Sequence, residues 1–349
     1  MNPPGTATRF LLALATTIAF PAGAGTYTAT ALPGLGGQQT VATAISAAGV
    51  VVGYSCDANF VTHAVSWSGG TLHDLGTLGG TTSYATGVNT AGQVVGFSDT
   101  TADAATSATI WSGAAATGLG TLGGILGYAY GENDSGVAVG VSTLTVTQGA
   151  EQYAHAALWT GSKVTDLGTL GGVKGTDGSS ATAVNSSGVV VGFSDKSSGP
   201  GQHATRWTGA SLTNLGTLGG STSAAFAVNS AGLIVGHSDV TGDGALHAVL
   251  WNGATVTDLG TLGGPMSAAF GINTSALIVG TSLSSTGSQR AVLWSAGQIL
   301  DLNTLTTPAL PAIVVLTVAV GINDAGVIAA YGIDTSTGAT VTYLLTPTG

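Results

Sequence analysis

The sequence predicts an all-β fold, a seven-bladed β-propeller of four-stranded repeats, each about 44 residues long. Three observations predict it. A glycine-rich phrase recurs at nearly even spacing, tryptophan keeps the same spacing, and the composition combines 57 glycines with only 6% charged residues. Glycine, serine and threonine in this abundance are typical of short strands joined by tight turns.

The phrase Leu-Gly-Thr-Leu-Gly-Gly sets the period. Its five intact copies begin at Leu75, Leu119, Leu167, Leu215 and Leu259. A variant begins at Leu32 and a degenerate copy at Leu302, so that successive intervals are 43, 44, 48, 48, 44 and 43 residues. Seven copies of one structural unit follow from this count.

Two further landmarks recur once in most units. All six tryptophans recur at nearly the same spacing as the leucine phrase: Trp67, Trp111, Trp159, Trp207, Trp251 and Trp294. An Asn-x-x-Gly turn starts at Asn89, Asn133, Asn185, Asn229 and Asn323, with weaker copies at Ser46 and Asn273. Asparagine with glycine three residues later suits a type I turn between two strands.

Each unit divides into four short strands. In the unit that precedes Leu215 we expect strands at residues 181–185, 189–194, 202–208 and 211–215. Four strands of about six residues with turns of about five account for the period.

The two ends of the chain predict how the fold closes. Residues 27–32 occupy the position of a fourth strand with no preceding three. The last unit offers three strands, at residues 318–323, 327–331 and 339–345, and then stops. We therefore expect the N-terminal strand to complete the last blade, which leaves no free edge between the ends.

The N-terminus has the parts of a secretory signal peptide. Arg9 precedes an apolar run at residues 10–20, and Ala22-Gly23-Ala24 offers a cleavage site. Residues 1–24 are predicted to be removed, which leaves residues 25–349 as a single propeller domain that is secreted or periplasmic. The apolar run is too short for an integral membrane span.

Composition limits the partners and the redox chemistry. The net charge is −10, with only six lysines and arginines, so nucleic acid and anionic membrane surfaces are not expected partners. Cys56 is the sole cysteine, which excludes an internal disulfide and favours a buried thiol. We expect a monomer.

The repeat resembles the HAF-repeat family of extracellular bacterial proteins. In that pattern an Asn-x-x-Gly-x-Val-Val-Gly strand pair precedes a His-Ala-Phe-x-Trp strand, and Asp-Leu-Gly-Thr-Leu-Gly-Gly follows. Matching residues include His63, His155, His203 and His247 before their tryptophans, and Asp74, Asp166 and Asp258 before the leucine phrase. The chain has no literal His-Ala-Phe, and Gly118 and Asn214 replace the aspartate in two units. The resemblance implies an exported repeat protein and carries over no catalytic residues.

Residues that recur in every unit are interpreted as structural, because a catalytic site is needed only once. The glycine phrase lacks a Walker lysine and a following helix, so we interpret it as a crossover between blades rather than a phosphate loop. The histidines are expected to bridge adjacent blades through hydrogen bonds, and the tryptophans to pack between blades rather than to bind sugars.

Aspartates in the loops between second and third strands are the candidate ligand-binding residues: Asp99, Asp103, Asp195, Asp239 and Asp243. These loops differ in length and content, and they should gather on one face of the propeller. Asp239 and Asp243 are weak candidates for Ca²⁺ ligands, since the segment lacks the full EF-hand spacing and the terminal glutamate. No other cofactor and no catalytic residue is predicted.

Three functions remain open from the sequence. The leading hypothesis is a secreted binding module for a surface glycan or a cell-envelope protein. The alternatives are a structural or adhesive surface protein and a propeller enzyme, such as a lyase or glycosidase. An enzyme would be indicated by an acidic or basic cluster that occurs only once, at the axis of the propeller. The sequence does not predict such a cluster.

Overall fold

The computed structural model describes residues 25–113, 115–145, 153–171, 177–197 and 201–348. The predicted signal peptide lies outside these ranges. The described residues form 28 β-strands and two short 3-10 helices, so the fold is all-β.

The N-terminal strand is followed by three sets of four strands. The first strand is β1 (Tyr27–Leu32). Repeat 1 contains β2 (Gly36–Ile45), β3 (Val51–Asp57), β4 (Thr62–Ser68) and β5 (Thr71–Asp74). Repeat 2 contains β6 (Gly79–Val88), β7 (Val94–Thr100), the 3-10 helix Thr101–Asp103, β8 (Thr106–Ser112) and β9 (Ala115–Gly118). Repeat 3 contains β10 (Gly123–Glu132), β11 (Val137–Leu144), β12 (Ala154–Thr160) and β13 (Lys163–Asp166).

The same order continues to the C-terminus. Repeat 4 contains β14 (Ser179–Val184), β15 (Val190–Asp195), β16 (Gln202–Thr208) and β17 (Ser211–Asn214). Repeat 5 contains β18 (Gly219–Val228), β19 (Ile234–Val240), β20 (Leu246–Asn252) and β21 (Thr255–Asp258). Repeat 6 contains β22 (Gly263–Ile272), β23 (Ile278–Ser284), β24 (Gln289–Ser295) and β25 (Gln298–Asp301). Repeat 7 contains the 3-10 helix Leu302–Thr304, β26 (Val314–Ile322), β27 (Ile328–Asp334) and β28 (Thr340–Pro347).

Hydrogen bonding groups these strands into four sheets. Within a repeat, each strand pairs antiparallel with the next one along the chain. Single parallel bridges, such as Leu246 to Met266, join two repeats at a time. The result is three eight-stranded sheets and one four-stranded sheet.

The first two strands of each repeat are joined by the predicted Asn-x-x-Gly turn. In repeat 2 the Gly92 amide donates to the Asn89 carbonyl at 3.1 Å, which closes a β-turn, and Gly92 has φ of +80°. The Asn89 side chain then accepts from the Gln93 amide at 3.0 Å. Asparagine and glycine recur here because the turn uses the side-chain oxygen of one and the left-handed φ of the other.

The tryptophans pack between neighbouring repeats, as predicted. Trp111 is fully buried in one cluster with Val52, Ala64 and Leu75, which belong to repeat 1 or directly follow it. The other tryptophans hold the equivalent position, each at most 3% exposed. Some also reach the preceding crossover, as where the Trp67 indole donates to the Pro33 carbonyl at 2.8 Å. No tryptophan is therefore available as a sugar platform.

The glycine phrase forms the crossover from a fourth strand to the next first strand. Gly76 and Gly79 have φ of +68° and +97°. At Gly80 a Cβ would lie 2.6 Å from the Asp99 backbone, so a side chain has no room there. Amides of the phrase are used inside the protein, as where Leu78 donates to the Ser98 hydroxyl at 2.9 Å. These contacts agree with a structural crossover rather than a phosphate loop.

The two ends of the chain meet. Strand β1 pairs antiparallel with β28 in a continuous register from Tyr27–Pro347 to Leu32–Thr342. Strand β28 also touches repeat 1 through a parallel bridge between Thr340 and Gln39. Tyr27 is 4% exposed and belongs to the core cluster of repeat 7. The N-terminal strand thus becomes the fourth strand of repeat 7, as the incomplete chain ends predict.

Replacing Tyr27 with alanine tests how much this pairing stabilises the fold. We expect the free energy of unfolding to fall by about 3–5 kcal/mol, the usual range for deleting a large buried aromatic side chain. Urea unfolding of residues 25–349 measures the change. Thr28→Ala, on the exposed side of the same strand, is the matched control, and an equal effect of the two variants would contradict this role of β1.

Candidate functional site

The first strands of all seven repeats converge at one place. The residue that ends each first strand points into it, and these seven residues form what we call the strand-end ring: Ile45, Val88, Glu132, Val184, Val228, Ile272 and Ile322. Six members are aliphatic. Glu132 is the only ionisable member, which makes it a non-repeated feature of a repeated position.

A polar cavity of about 300 Å³ lies on one side of the strand-end ring. The Asn-x-x-Gly turns of all seven repeats line it. Their asparagines bond from repeat to repeat: Asn133 donates to the Asn185 carbonyl at 3.0 Å, and Asn323 donates to the Ser46 carbonyl at 3.5 Å. The exposed carboxylates of Asp134 and Asp324 stand at its rim.

A larger cavity of about 530 Å³ lies on the other side, and we call it the aromatic cavity. Five aromatic side chains line it: Tyr54, Tyr130, Phe226, Phe270 and Tyr331. Phe226 and Phe270 pack with ring centroids 5.4 Å apart. The two cavities share five lining residues, all from the strand-end ring: Ile45, Val88, Glu132, Ile272 and Ile322.

Small residues let the first strands come close enough to enclose these cavities. Gly131 is an example, since a Cβ there would lie 3.0 Å from the Thr182 carbonyl oxygen of repeat 4. A Cβ on Gly271 would lie 2.9 Å from the Gly321 Cα atom. Alanine takes the same place in other repeats, at Ala44, Ala183 and Ala227. The close approach restricts these positions to glycine and alanine. Side chains on the wall of the aromatic cavity differ between repeats.

Glu132 has one satisfied and one unsatisfied carboxyl oxygen. The Asn89 side chain donates to Oε2 at 3.3 Å. Oε1 is buried and meets no hydrogen-bond partner among the described residues. A buried carboxyl oxygen without a partner is costly, so it marks a place where a ligand group would be stabilised.

Burial raises the pKa of Glu132 from the ordinary 4.5 to about 8. The hydrogen bond from Asn89 offsets part of this effect, and the nearby Asp134 carboxylate adds to it. The physical cause is the loss of hydration inside an aliphatic ring, which disfavours the charged form. A carboxyl group whose pKa is moved close to neutrality by burial is typical of functional sites.

The predicted ligand-binding aspartates lie elsewhere: Asp99, Asp195 and Asp239 are at the ends of second strands, and Asp103 and Asp243 are in the loops that follow. Asp99 accepts from the hydroxyls of Thr82 and Thr106, and Asp103 accepts from the Thr81 amide at 2.7 Å. Each contact therefore ties the loop of repeat 2 to strands of the same repeat.

The other three aspartates make equivalent contacts. Asp195 accepts from the Gly178 amide at 2.7 Å, and Asp243 accepts from the Ser221 amide at 2.7 Å. Asp239 accepts from the Thr222 hydroxyl at 2.5 Å. The structure thus places the five aspartates in three separate repeats, where they hold the beginnings of first strands. Their role in ligand binding stays a prediction.

No group of three or more His, Cys, Asp or Glu side chains that could hold a metal ion occurs among the described residues. The pair Asp239 and Asp243, the candidate Ca²⁺ ligands, is engaged by repeat 5 as described above. Parts of the neighbouring loops, at residues 146–152 and 198–200, lie outside the described residues.

The expected hydrogen bonds of histidine between repeats were wrong for His63, His203 and His247, whereas His155 also forms a hydrogen bond with the backbone of Asp177, which precedes the first strand of repeat 4. His63 donates to Asp74 at 2.9 Å, and His247 donates to Asp258 at 2.8 Å, so each histidine pairs with the fourth strand of its own repeat. His203 uses Asn214 in the same way at 3.0 Å. The reason is register: antiparallel pairing of the third and fourth strands brings residues eleven apart in the chain side by side.

Glu132 was missed as a site residue because the motif search began at the asparagine that follows it. Aligned on that asparagine, the preceding residues read Ile, Val, Glu, Val, Val, Ile and Ile through the seven repeats. One charged residue in an otherwise aliphatic column is a signal that such an alignment would have found.

Comparisons with known proteins add no relative. No protein-family model matches the chain, and a search of curated proteins finds no match. The resemblance to the HAF-repeat family therefore stays a prediction. Among the described residues, no helix is long and apolar enough to cross a membrane.

Replacing Asp243 with alanine tests the structural role of the loop aspartates. The Ser221 amide loses its acceptor, and we expect the free energy of unfolding to fall by about 1 kcal/mol. Thermal unfolding measures the change against Asp243→Asn, which keeps an acceptor oxygen for the Ser221 amide and suits the positive φ of this residue. Wild-type stability of Asp243→Ala would contradict the structural role.

Replacing Glu132 with glutamine tests its burial through the pH dependence of stability. The folded protein binds the Glu132 proton more tightly than the unfolded chain, because its pKa is about 8 when folded and 4.5 when exposed. The resulting stabilisation is complete below pH 4.5 and is lost as pH rises through 8. We expect the melting temperature of Glu132→Gln relative to that of the wild type to increase between about pH 5 and about pH 8. Parallel curves for the two proteins would contradict a raised pKa.

Proposed function

We propose that the seven repeats are the blades of a β-propeller with the strand-end ring on its central axis. Four features support it: the shared strand order, the tryptophan packing between neighbours, the pairing of β1 with β28, and cavities lined by every repeat. A propeller blade cannot bury its hydrophobic face alone, so such repeats stack until the first and last meet.

The propeller is an exported binding module whose ligand occupies the aromatic cavity. One observation carries this proposal: Glu132, the only ionisable side chain in the strand-end ring, lines a cavity of about 530 Å³ that also holds five aromatic side chains. Cavities of this size, mostly apolar with few polar groups, are typical small-ligand sites. The aromatic cavity is favoured over the loop face as the ligand site because the loop aspartates already accept hydrogen bonds from backbone amides of the protein.

Binding is proposed rather than catalysis. Hydrolysis of a glycoside requires two carboxyl groups that act together across the scissile bond. Glu132 faces the aromatic cavity without a second carboxyl group, since the other acids, Asp134 and Asp324, line only the polar cavity. Their oxygens accept hydrogen bonds from Thr90 and Thr274.

Export is part of the proposal and depends on the N-terminal sequence. Arg9, the apolar run at residues 10–20 and Ala22-Gly23-Ala24 support a secretory signal. The small number of charged residues, 6% of the chain, leaves a neutral surface of hydroxyl and amide groups. A released or periplasmic protein that meets small molecules or glycans fits these features.

A binding screen tests the site. Residues 25–349 would be screened by saturation-transfer NMR against small aromatic compounds and envelope saccharides. For any ligand found, Phe226→Ala is expected to weaken binding at least tenfold, because it removes one wall of the cavity. Ile125→Ala removes an exposed apolar side chain outside both cavities and is the matched control.

The screen also separates the two candidate faces. Loss of binding on replacing residues 238–246 by glycine and serine, with Phe226→Ala unaffected, would move the site to the loop face. Silence of the whole screen would contradict the small-ligand function.

A further inference from the structure

The chemistry of the aromatic cavity is uneven. Its walls are mostly aromatic and aliphatic, and Glu132 lines it where it meets the polar cavity. None of the described residues that line either cavity is a lysine, arginine or histidine. The described lining of the aromatic cavity therefore offers one carboxyl group and several π-faces, and it offers no positive charge.

We propose that the aromatic cavity binds an organic ammonium ion, a primary ammonium group on an aromatic body, with the Glu132 carboxylate as its counter-ion. This inference rests on the proposed function of the cavity. The ammonium group would form an ion pair with the ionised carboxyl group of Glu132 and would offset the hydration that this group loses on burial.

Charge favours a cation over an anion or a neutral ligand. An anion would face Glu132 with no basic residue to compensate it, in a protein whose net charge is −10. A neutral ligand would leave Glu132 protonated near neutral pH and would gain no ion pair with it. Asp134 and Asp324, at the rim of the polar cavity, extend the same negative potential on the other side of the ring.

The walls fit the rest of such a ligand. Aromatic faces attract ammonium groups that lie within about 6 Å of the ring centroid. Tyr130 and Glu132 lie two residues apart on β10, and both line the cavity. Phe226 and Phe270 provide apolar surface for an aromatic body.

Binding should be linked to proton release from Glu132. The other titratable groups that line the two cavities are Tyr54, Tyr130, Tyr331, Asp134 and Asp324. Burial raises the pKa of all three tyrosines above 10, so they stay neutral near pH 8. An ammonium ion selects the ionised form of Glu132, so affinity should rise with pH until Glu132 is ionised in the free protein.

Calorimetry with a matched pair of probes tests this inference. The probes are 2-phenylethylammonium and 2-phenylethanol, which share a body and differ in the charged group. At pH 8.5 we expect the amine to bind the wild type at least tenfold more tightly than the alcohol. Between pH 8.5 and pH 6 the amine should lose up to about a hundredfold in affinity while keeping its own charge, since aliphatic amines ionise near pH 10.

Variants assign the effect to Glu132. Glu132→Gln should remove both the preference and the pH dependence. Glu132→Val, which restores the aliphatic residue of the other repeats, should do the same and guards against a folding defect in the glutamine variant. Asp166→Asn is the matched control, because Asn214 occupies the equivalent position in repeat 4.

The outcomes separate this inference from the proposed function. Equal binding of amine and alcohol, or a preference that survives in both Glu132 variants, overturns the ammonium site and leaves a ligand-binding cavity. Absence of binding by both probes overturns the ammonium site as well. The function itself is then decided by the wider screen described above.

Discussion

Burial of a tryptophan against the neighbouring repeat, which occurs in six of the seven repeats, is the interaction on which the rest of the structure depends. A four-stranded repeat of this size has one face that it cannot cover alone. Trp159 shows how the next repeat covers it, since this side chain packs with Val95, Ala108 and Leu119 of the preceding repeat and crossover. Each repeat therefore needs a neighbour to cover its exposed face. At the last repeat, strand β1 supplies the missing fourth strand by pairing with β28.

The same constraint explains where the sequence is free to vary. Glycine and alanine are required where first strands approach each other, as at Gly131 and Gly271, and asparagine is required in the turns. On the wall of the aromatic cavity Thr43, Thr86 and Thr182 also donate hydrogen bonds to carbonyls of the next repeat, but the residues at this position are not restricted to threonine. They differ between repeats, from Tyr130 to Phe226 to Val320, and the strand-end ring admits one glutamate. The repeated residues thus enclose the aromatic cavity, and the residues that differ between repeats, such as Glu132, determine its chemistry.

Much of the fold could be predicted from the sequence because the strands are short, regular and bounded by glycine turns. Strands β1 and β16 have the predicted bounds, and the other strands of repeat 4 differ from the predicted ones by at most two residues at either end. The role of tryptophan followed from its recurrence alone. Burial and packing of a residue present in nearly every repeat are properties of the repeat, which one sequence contains several times over.

The candidate site could not be predicted in the same way. The search for recurring motifs emphasised the loop aspartates, whose hydrogen bonds to Thr81 and Ser221 depend on strand placement. Histidine pairing was wrong because it depends on the register of the third and fourth strands. Glu132 is buried beside a cavity because seven residues that are distant in the chain meet in the strand-end ring.

The most direct test of this account is the ionisation of Glu132 itself. A carbon-13 NMR titration of the labelled glutamate carboxyl in residues 25–349, with Glu132→Gln to assign the resonance, measures its pKa. Enclosure by the strand-end ring predicts a value of about 8. A value near the ordinary 4.5 would show a hydrated carboxyl group and would contradict the enclosed site.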